Sequence, residues 1–534
     1  MNKIIGFYIS KSKREFKYDI FNKNLNLIIL SKGNFFIYLW GIGNISKCII
    51  DKSYSLSFPL HKSLLDRNIL ISIDEDEIII ENDWLGSIPI FYNDKIHRIS
   101  TLSNLCIGSE KKIHQEGLSN FCEFGYSVFE QTPLENVKFM RYFSKLVFSE
   151  NGILAKDKDD PILEEDFLNE QSSSQDVIIL MQNYVSNIEN NTEGDIVLPT
   201  SGGYDSRILN YLVKDKHRIK SFTYGNSKDQ SQSTEVVHAK KISEIYNTSW
   251  NQIKLESFHQ YIKEWFDLFG MSTHLHGMYH IEFYTKMMSN YSLNNATFLS
   301  GIVGDAWAGS INYKKIEKVD DVISLGYSHG MNLKKTNLNY ISNNKSMNTF
   351  FKKNKLYLQD DRIKAVFTIR MKLILISYLT QLPEYFGLPV WTPFLNFNIV
   401  KTTLNLPYEK RINRIWEKDF FKEVGLNLEE MALISIKSNN LDYEIMQNAT
   451  LEPININLMK QYLNKKKLLI INDTLFKLTY SSKLSFIETF KNNLLSIPKL
   501  GGGLRLLGFK NNFLRALYEY YLIKAIEKGL KYES

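Results

Sequence analysis

Cysteine is scarce in this chain: Cys48, Cys106 and Cys122 are the only thiols in 534 residues. None stands in a CxxC pair, so a metal site built on thiolate spacing is not expected, and the low count fits a reducing compartment. Long apolar runs are also missing. The longest apolar neighbourhood, MKLILISYLTQL at 371–382, carries Lys372 and Gln381. It is too short to cross a bilayer and reads as a buried helix. The opening MNKIIGFYIS lacks a long apolar core and a small-residue cleavage site, so no signal peptide is expected and the cytoplasm is the default location. There is no basic arm and no long run of like charges, which leaves nucleic-acid partners and membrane insertion unsupported.

What is present is an ordinary globular composition, 44% hydrophobic and 23% charged with a net charge of +7. The length implies roughly two to four domains. The first part, 1–165, is rich in β-branched and aromatic runs (LNLIILS, NFFIYLW, ILISIDEDEIIIEN, IPIFYND), which predict a mostly antiparallel β or α+β domain. KLVFSENGILAKD predicts a hairpin with Asn151-Gly152 at its tip. The polar, Ser-rich stretch 164–176 is the best linker candidate. From 175 to 534 the pattern changes. Short strands at DIVLPT, IKSFTYG (219–225), SWNQIKL (249–255) and ATFLSG (296–301) alternate with helical segments such as TEVVHAKKISEIY. That alternation predicts a doubly wound α/β domain with a parallel sheet, followed by a mostly helical part beyond about 305.

Ligands of such sheets bind at the carboxyl ends of the strands, and TSGGYDS, TYGNSKD and SGIVGDAWAGS fall at such ends. All three loops are rich in Gly, Ser and Asp. Gly202 and Gly203 allow a sharp turn and close approach to a ligand, and a helix start behind them offers free N–H groups to an anion. No GxxxxGK[ST] lysine follows, so a P-loop NTPase is not supported. An acid aimed at phosphates, Asp205, makes sense with a cation between them. Mg²⁺ is commonly held by one or two carboxylates plus phosphate oxygens, and Asp305 can supply the second. Asp205 also has a plain alternative as a helix N-terminal residue.

SGGYDS at 201–206 resembles the SGGxDS pyrophosphate loop of the asparagine synthetase family and its ATP-pyrophosphatase relatives. SFTYG (221–225) is similar to that family's second strand and turn, SGIVGDAWAGS (300–310) to its SGxGxDExxGG loop, and WTPFLNFNIV (391–400) to its PFLD segment, with Asn396 at the final acid. NDWLGSIPIFYN (82–93) resembles the D..G..PLYY segment of its glutaminase domain. The resemblance implies an α+β, Ntn-hydrolase-like domain at 1–165 and an adenine nucleotide alpha hydrolase-like synthetase domain at 175–534. It implies ATP and Mg²⁺ as cofactors, adenylation of a carboxylate, release of pyrophosphate and formation of an amide. Ser201, Gly202, Gly203, Asp205 and Ser206 would hold pyrophosphate, Tyr224, Gly225, Ser300 and Gly301 adenosine, and Asp205 and Asp305 the metal. Lys437 in ISIKSNN is the candidate for the family's catalytic lysine, against the plain reading of a surface lysine.

The chain departs from the family where substrates are chosen. The second residue is Asn2 where the glutaminase carries its cysteine nucleophile, and an amide cannot do that work. Glutamine hydrolysis is therefore expected to be lost, with ammonia or a separate nitrogen donor feeding the site. Ile302 stands where asparagine synthetases have glutamate and β-lactam-forming relatives tyrosine, and Ala306 replaces a glutamate. The acceptor is thus expected not to be free aspartate, but a uronic acid of a surface polysaccharide or a peptide carboxylate. His274, His276 and His280 lack an acid to complete a zinc site; His274 or His276 is a candidate for the substrate pocket. GGGL at 501–504 reads as a flexible turn. The alternatives are a non-catalytic, nucleotide-binding or regulatory relative and, on the shared loop alone, tRNA sulfur transfer, which wants a catalytic cysteine and a basic face.

Overall fold

The computed structural model describes residues 2–14, 25–50, 53–55, 63–164, 166–169, 171–328, 330–341, 343–437, 439, 441, 445, 449, 451–476 and 512–533. The glycine run at 501–504 lies outside them.

Two antiparallel sheets built before residue 160 form a sandwich. Strands β1 (Lys3–Ser10), β2 (Leu25–Lys32) and β3 (Phe35–Ile42) share one six-stranded sheet with β8 (Phe91–Asn93), β9 (Arg98–Ser100) and β10 (Lys138–Phe139), in the order β10-β8-β9-β1-β3-β2. Strands β4 (Ile49–Ile50), β5 (Ser53–Ser55), β6 (Ile69–Ile73), β7 (Glu77–Asn82), β11 (Ser144–Ser149) and β12 (Gly152–Asp157) form the second, in the order β12-β11-β7-β6-β5-β4. Alternation along β1 and β3 serves two cores at once. Phe7, Ile9, Ile37 and Leu39 meet Ile71, Ile78, Ile80 and Phe148 of the second sheet, while Ile5, Tyr8, Tyr38 and Trp40 face the core of the C-terminal half. A side-chain period of two makes this double use possible. The β11–β12 hairpin turns through Glu150 and Asn151, because Ser149 already pairs with Gly152; the tip lies one residue earlier than Asn151-Gly152.

The C-terminal half is built on a parallel five-stranded sheet, β15-β14-β13-β16-β17. Its strands are β13 (Ile196–Pro199), β14 (Ile219–Thr223), β15 (Ser249–Gln252), β16 (Thr297–Leu299) and β17 (Val390–Trp391). Each neighbouring pair is parallel. Ile196, Val197 and Leu198 of the central strand are all fully buried, the unbroken apolar run expected of a strand covered on both faces. After helices α1 (Gln115–Phe124) and α2 (Ser174–Asn191), the chain steps outward from β13 through helix α3 (Tyr204–Leu212) to β14 and through α4 (Thr234–Tyr246) to β15, then returns to the other side of β13 as β16. The order reverses between β13 and β16, and that crevice is where ligands of open α/β sheets bind.

The stretch expected to be a linker is tied down. The Asn169 N–H donates to Asn405 Oδ1, the Ser172 N–H donates to the Asn405 carbonyl, and Asn405 Nδ2 donates to the Phe167 carbonyl. Ser173 and Asp176 then form a capping box that starts the helix Ser174–Asn191. The halves are also joined by buried charge: Glu384 accepts both guanidinium nitrogens of Arg67 at 2.7 and 2.8 Å and lies 2.5 Å from Lys3 Nζ. No helix of the described residues is long and apolar enough to cross a membrane.

Candidate functional site: the crevice between the β13 and β16 loops

A cleft of about 460 Å³ opens at the crevice, lined by Ser201, Gly203, Asp205, Ser206, Tyr224, Ser300, Gly301 and Asp305 among others. These residues come from three loops that the strand order brings side by side. Of the remaining candidates, Gly202 and Gly225 pack behind the wall. A Cβ on Gly202, whose φ is +76°, would lie 2.1 Å from His238 Cβ, so only glycine fits this turn. A Cβ on Gly225 would lie 2.2 Å from the Gln230 carbonyl oxygen, so that glycine closes the loop onto the start of α4. Lys437 is exposed and outside the cleft lining. It follows Ile436, whose backbone bonds to Gln232 and Thr234 beside the β14 loop.

The β13 loop is a tight turn ahead of a helix start that no side chain caps, so the first-turn N–H groups of α3 are left for a ligand. Ser206 Oγ accepts the Ser201 N–H at 3.3 Å and donates to the Gly203 carbonyl at 3.1 Å, fixing the turn. Arg207, fully buried behind it, holds the Gly202 carbonyl at 2.7 Å and Glu429 through both guanidinium nitrogens at 2.9 and 3.0 Å.

The β16 loop meets it through Asp205. The Asp305 N–H donates to Asp205 Oδ2 at 3.0 Å, and Arg414 Nη2 donates to Asp205 Oδ1 at 2.7 Å. Close approach depends on Gly304: a Cβ there would lie 2.7 Å from Asp205 Cγ. Val303, just before it, is held at φ +56°, costly for a β-branched residue and a mark of an over-determined turn. Burial, with the charges of Asp305 and Glu417 adding to it against the pull of Arg414, raises the Asp205 carboxyl above the usual carboxylate range. Three carboxylates surround one guanidinium, so the site is short of positive charge. Asp205 and Asp305 are the carboxylates here that could hold a divalent cation; no group of three or more His, Cys, Asp or Glu side chains suited to a metal occurs among the described residues.

The far end of the cleft is aromatic. Tyr224, Phe283 and Tyr284 line it with His280. His280 packs its ring on Tyr224, Tyr279 and Tyr378 at 5.9, 4.3 and 5.0 Å between centroids, and burial lowers its pKa to about 3. A neutral His280 wall, rather than His274 or His276, is what the cleft receives from that motif. Ile302 lines the cleft and Ala306 is buried beside it. Behind the β16 loop, Trp307 Nε1 donates to the Phe394 carbonyl and Trp84 Nε1 to that of Leu395, so the sandwich buttresses the site through the PFL segment. Asp83, whose carboxylate accepts the backbone N–H groups of Leu85 and Ser87 and the Ser87 hydroxyl, shapes the turn that carries Trp84. Asn396 caps the next helix, accepting the N–H groups of Asn398 and Ile399.

Arg207, Gly304, Arg414 and Glu417 were not foreseen from sequence. Only Gly304 carried a signal, as the second glycine of SGIVG.

Neither a family model nor a curated protein sequence matches the chain. Among solved structures, an NH3-dependent NAD synthetase from Campylobacter jejuni subsp. jejuni NCTC 11168, in complex with the nitrate ion, is similar at 16% identity, over 39% of this chain and 96% of that one, with a TM-score of 0.23. A score that low leaves the fold resting on the strand order itself.

Proposed function

We propose that the chain is an ATP-dependent enzyme that activates a carboxylate as its adenylate and releases pyrophosphate. Within that class we infer an amide ligase of the asparagine synthetase type, belonging with that family by its motifs. The observation that carries the reading is the meeting of SGGYDS with the Asp305 loop at the sheet's switch point, Asp205 accepting the Asp305 N–H.

In this reading the triphosphate lies on the N–H groups of the β13 loop and the α3 start, and adenosine lies toward Tyr224, Ser300 and Gly301. Glu235, which also lines the cleft, would accept a ribose hydroxyl. Asp205 and Asp305 would hold Mg²⁺, which withdraws charge from the phosphates when bound. A carboxylate oxygen of the acceptor attacks the α-phosphorus and the bond to pyrophosphate breaks. Ammonia then attacks the acyl carbon, AMP leaves with the original carboxylate oxygen, and the ammonium proton passes to solvent. Donors fixed before the reaction, rather than a dedicated base, supply the stabilisation. Lys437, on the segment beside the β14 loop, would serve the leaving groups as the family's lysine does.

The nitrogen source is ammonia or a separate donor. Burial raises all three thiols, Cys122 to about 12, so none is poised as a thiolate nucleophile. The Asn2 side chain accepts the Asn44 N–H. The apolar wall at Ile302 favours an acceptor other than free aspartate, a uronic acid or a peptide carboxylate. Carboxylate-¹⁸O transfer tests the chemistry: label from the acceptor must appear in AMP, and label-free AMP or ADP as product refutes it. One feature favours a second reading, a non-catalytic nucleotide-binding relative: a side chain of the chain itself, Arg414, occupies Asp205.

A further inference from the structure

Arg414 is an unusual neighbour for a metal-binding carboxylate. Its backbone stands in the left-handed region at φ +59°, directly after Asn413 at φ +51°. A bulky residue is held there only when its surroundings over-determine it. The side chain is gripped from two further sides. Nε donates to Glu417 Oε2 at 2.5 Å, and the guanidinium carbon sits 4.6 Å from the Tyr204 ring centroid. Arg207 lies 4.8 Å from the same ring, so both guanidinium groups pack on Tyr204. Glu417 is almost fully buried and anchors the Nε edge. Nη2 faces Asp205, and Arg414 lines the cleft.

The arrangement divides the guanidinium into an anchored edge and an exchangeable one. A planar fork suits both a carboxylate and a phosphate. A divalent cation and Nη2 cannot both enjoy Asp205 Oδ1 undiminished, since each is drawn there by the same negative charge. On the reading above, a polyphosphate in the β13 loop would offer the displaced edge a new anion.

We propose that Arg414 is an exchangeable counter-ion: it pairs with Asp205 and turns to the polyphosphate when metal and nucleotide arrive together. The inference rests on the ligase reading. Its consequence is synergy. Metal alone must displace an Nη2 edge that then has no anion of its own, and nucleotide alone meets an arginine already engaged; together they resolve both costs. Coupling of this kind is reciprocal by linkage. Arg414 is then a residue that acts with opposite sign on two ligands, which a purely structural role would not do.

The test uses the full chain and two probes. Mn²⁺ alone, standing for Mg²⁺, is titrated by electron paramagnetic resonance, and Mg²⁺·pyrophosphate by calorimetry. Arg414→Met keeps the stem and removes the charge; Arg414→Lys keeps a charge without the fork, and circular dichroism checks that both fold. In Arg414→Met, Mn²⁺ alone is expected to bind roughly tenfold tighter, and Mg²⁺·pyrophosphate roughly 10- to 100-fold weaker, the range of a lost charge-assisted bond. Arg414→Lys is expected between the two. Equal losses for both probes, or no change in either, overturn the proposal. If the unaltered protein binds neither Mg²⁺·pyrophosphate nor Mg²⁺·ATP, the ligase reading itself falls and the inference with it.

Discussion

Replacing Gly304 by alanine sets two effects against each other. Gly304 opens the short helix Gly304–Ala308 and has an ordinary negative φ, so alanine gains up to about 1 kcal/mol of helix propensity. Its Cβ, however, would stand 2.7 Å from Asp205 Cγ and 2.9 Å from Phe394 Cε1. A carbon–carbon contact settles near about 3.5 Å, so the Asp205 carboxylate must retreat by most of an ångström. That retreat stretches its bonds to the Asp305 N–H and to Arg414. A misplacement of that size near reacting groups costs about 100-fold in rate. The change is therefore expected to leave melting within a few degrees, because the helix gain offsets the strain, while pyrophosphate release falls about 100-fold. Gly301→Ala is the matched control: its Cβ would lie 3.3 Å from Asp205 Cβ, a contact that a small shift relieves, and less than about tenfold is expected to be lost. Rates and melting curves of the two variants decide it. Equal activity of both, or a Gly304→Ala enzyme within threefold of the parent, would refute the claim that loop approach positions Asp205.

Other outcomes follow from the same structure. His280 is lowered by burial from an ordinary 6.5 to about 3, so the unfolded chain binds the proton more readily below 6.5, and stability falls as pH drops from 6.5 toward 3. By pH 4.5 this group accounts for up to about 2.7 kcal/mol; urea midpoints of His280→Gln should decline less steeply over that window, and parallel declines would contradict it. Glu384→Ala leaves Lys3 and Arg67 buried without their counter-charge and should cost about 3–5 kcal/mol in chemical denaturation; a loss under about 1 kcal/mol would show that water reaches the interface. Lys437→Ala should lower kcat about 100-fold while the KM for ATP stays within about threefold, because a lysine that stabilises the leaving groups serves the transition state; a rise in KM alone would make it a ground-state ligand.

Local signals carried much of the fold. The helix Thr234–Tyr246 and strands β13 to β16 stand where period and turn residues put them, because a buried parallel strand is a short apolar run and its loop is a Gly/Ser/Asp cluster. β17 was missed: Val390 and Trp391 form a strand only because β16 supplies a parallel partner. The Ser-rich stretch reads as a linker by composition, yet Asn405, far along the chain, pins its backbone. In the site, the residues that a single loop supplies were legible. Arg414 and Glu429 were not, since they reach Asp205 and Arg207 from 209 and 222 residues away. The strain at Val303 is likewise set by the packing of Gly304 on Asp205, which no local propensity encodes.

The central claim is carboxylate activation at Asp205 and Asp305, and pyrophosphate release tests it most directly. The purified protein would be given Mg²⁺·ATP and a panel of uronic acids, peptides and aspartate, with ammonium or glutamine, beside Asp205→Ala. The account predicts release with ammonium and not with glutamine, for an acceptor other than aspartate, abolished in Asp205→Ala. Release supported by glutamine alone would contradict the loss of glutaminase chemistry. Release unaffected by Asp205→Ala, or none with any acceptor, would contradict the account itself.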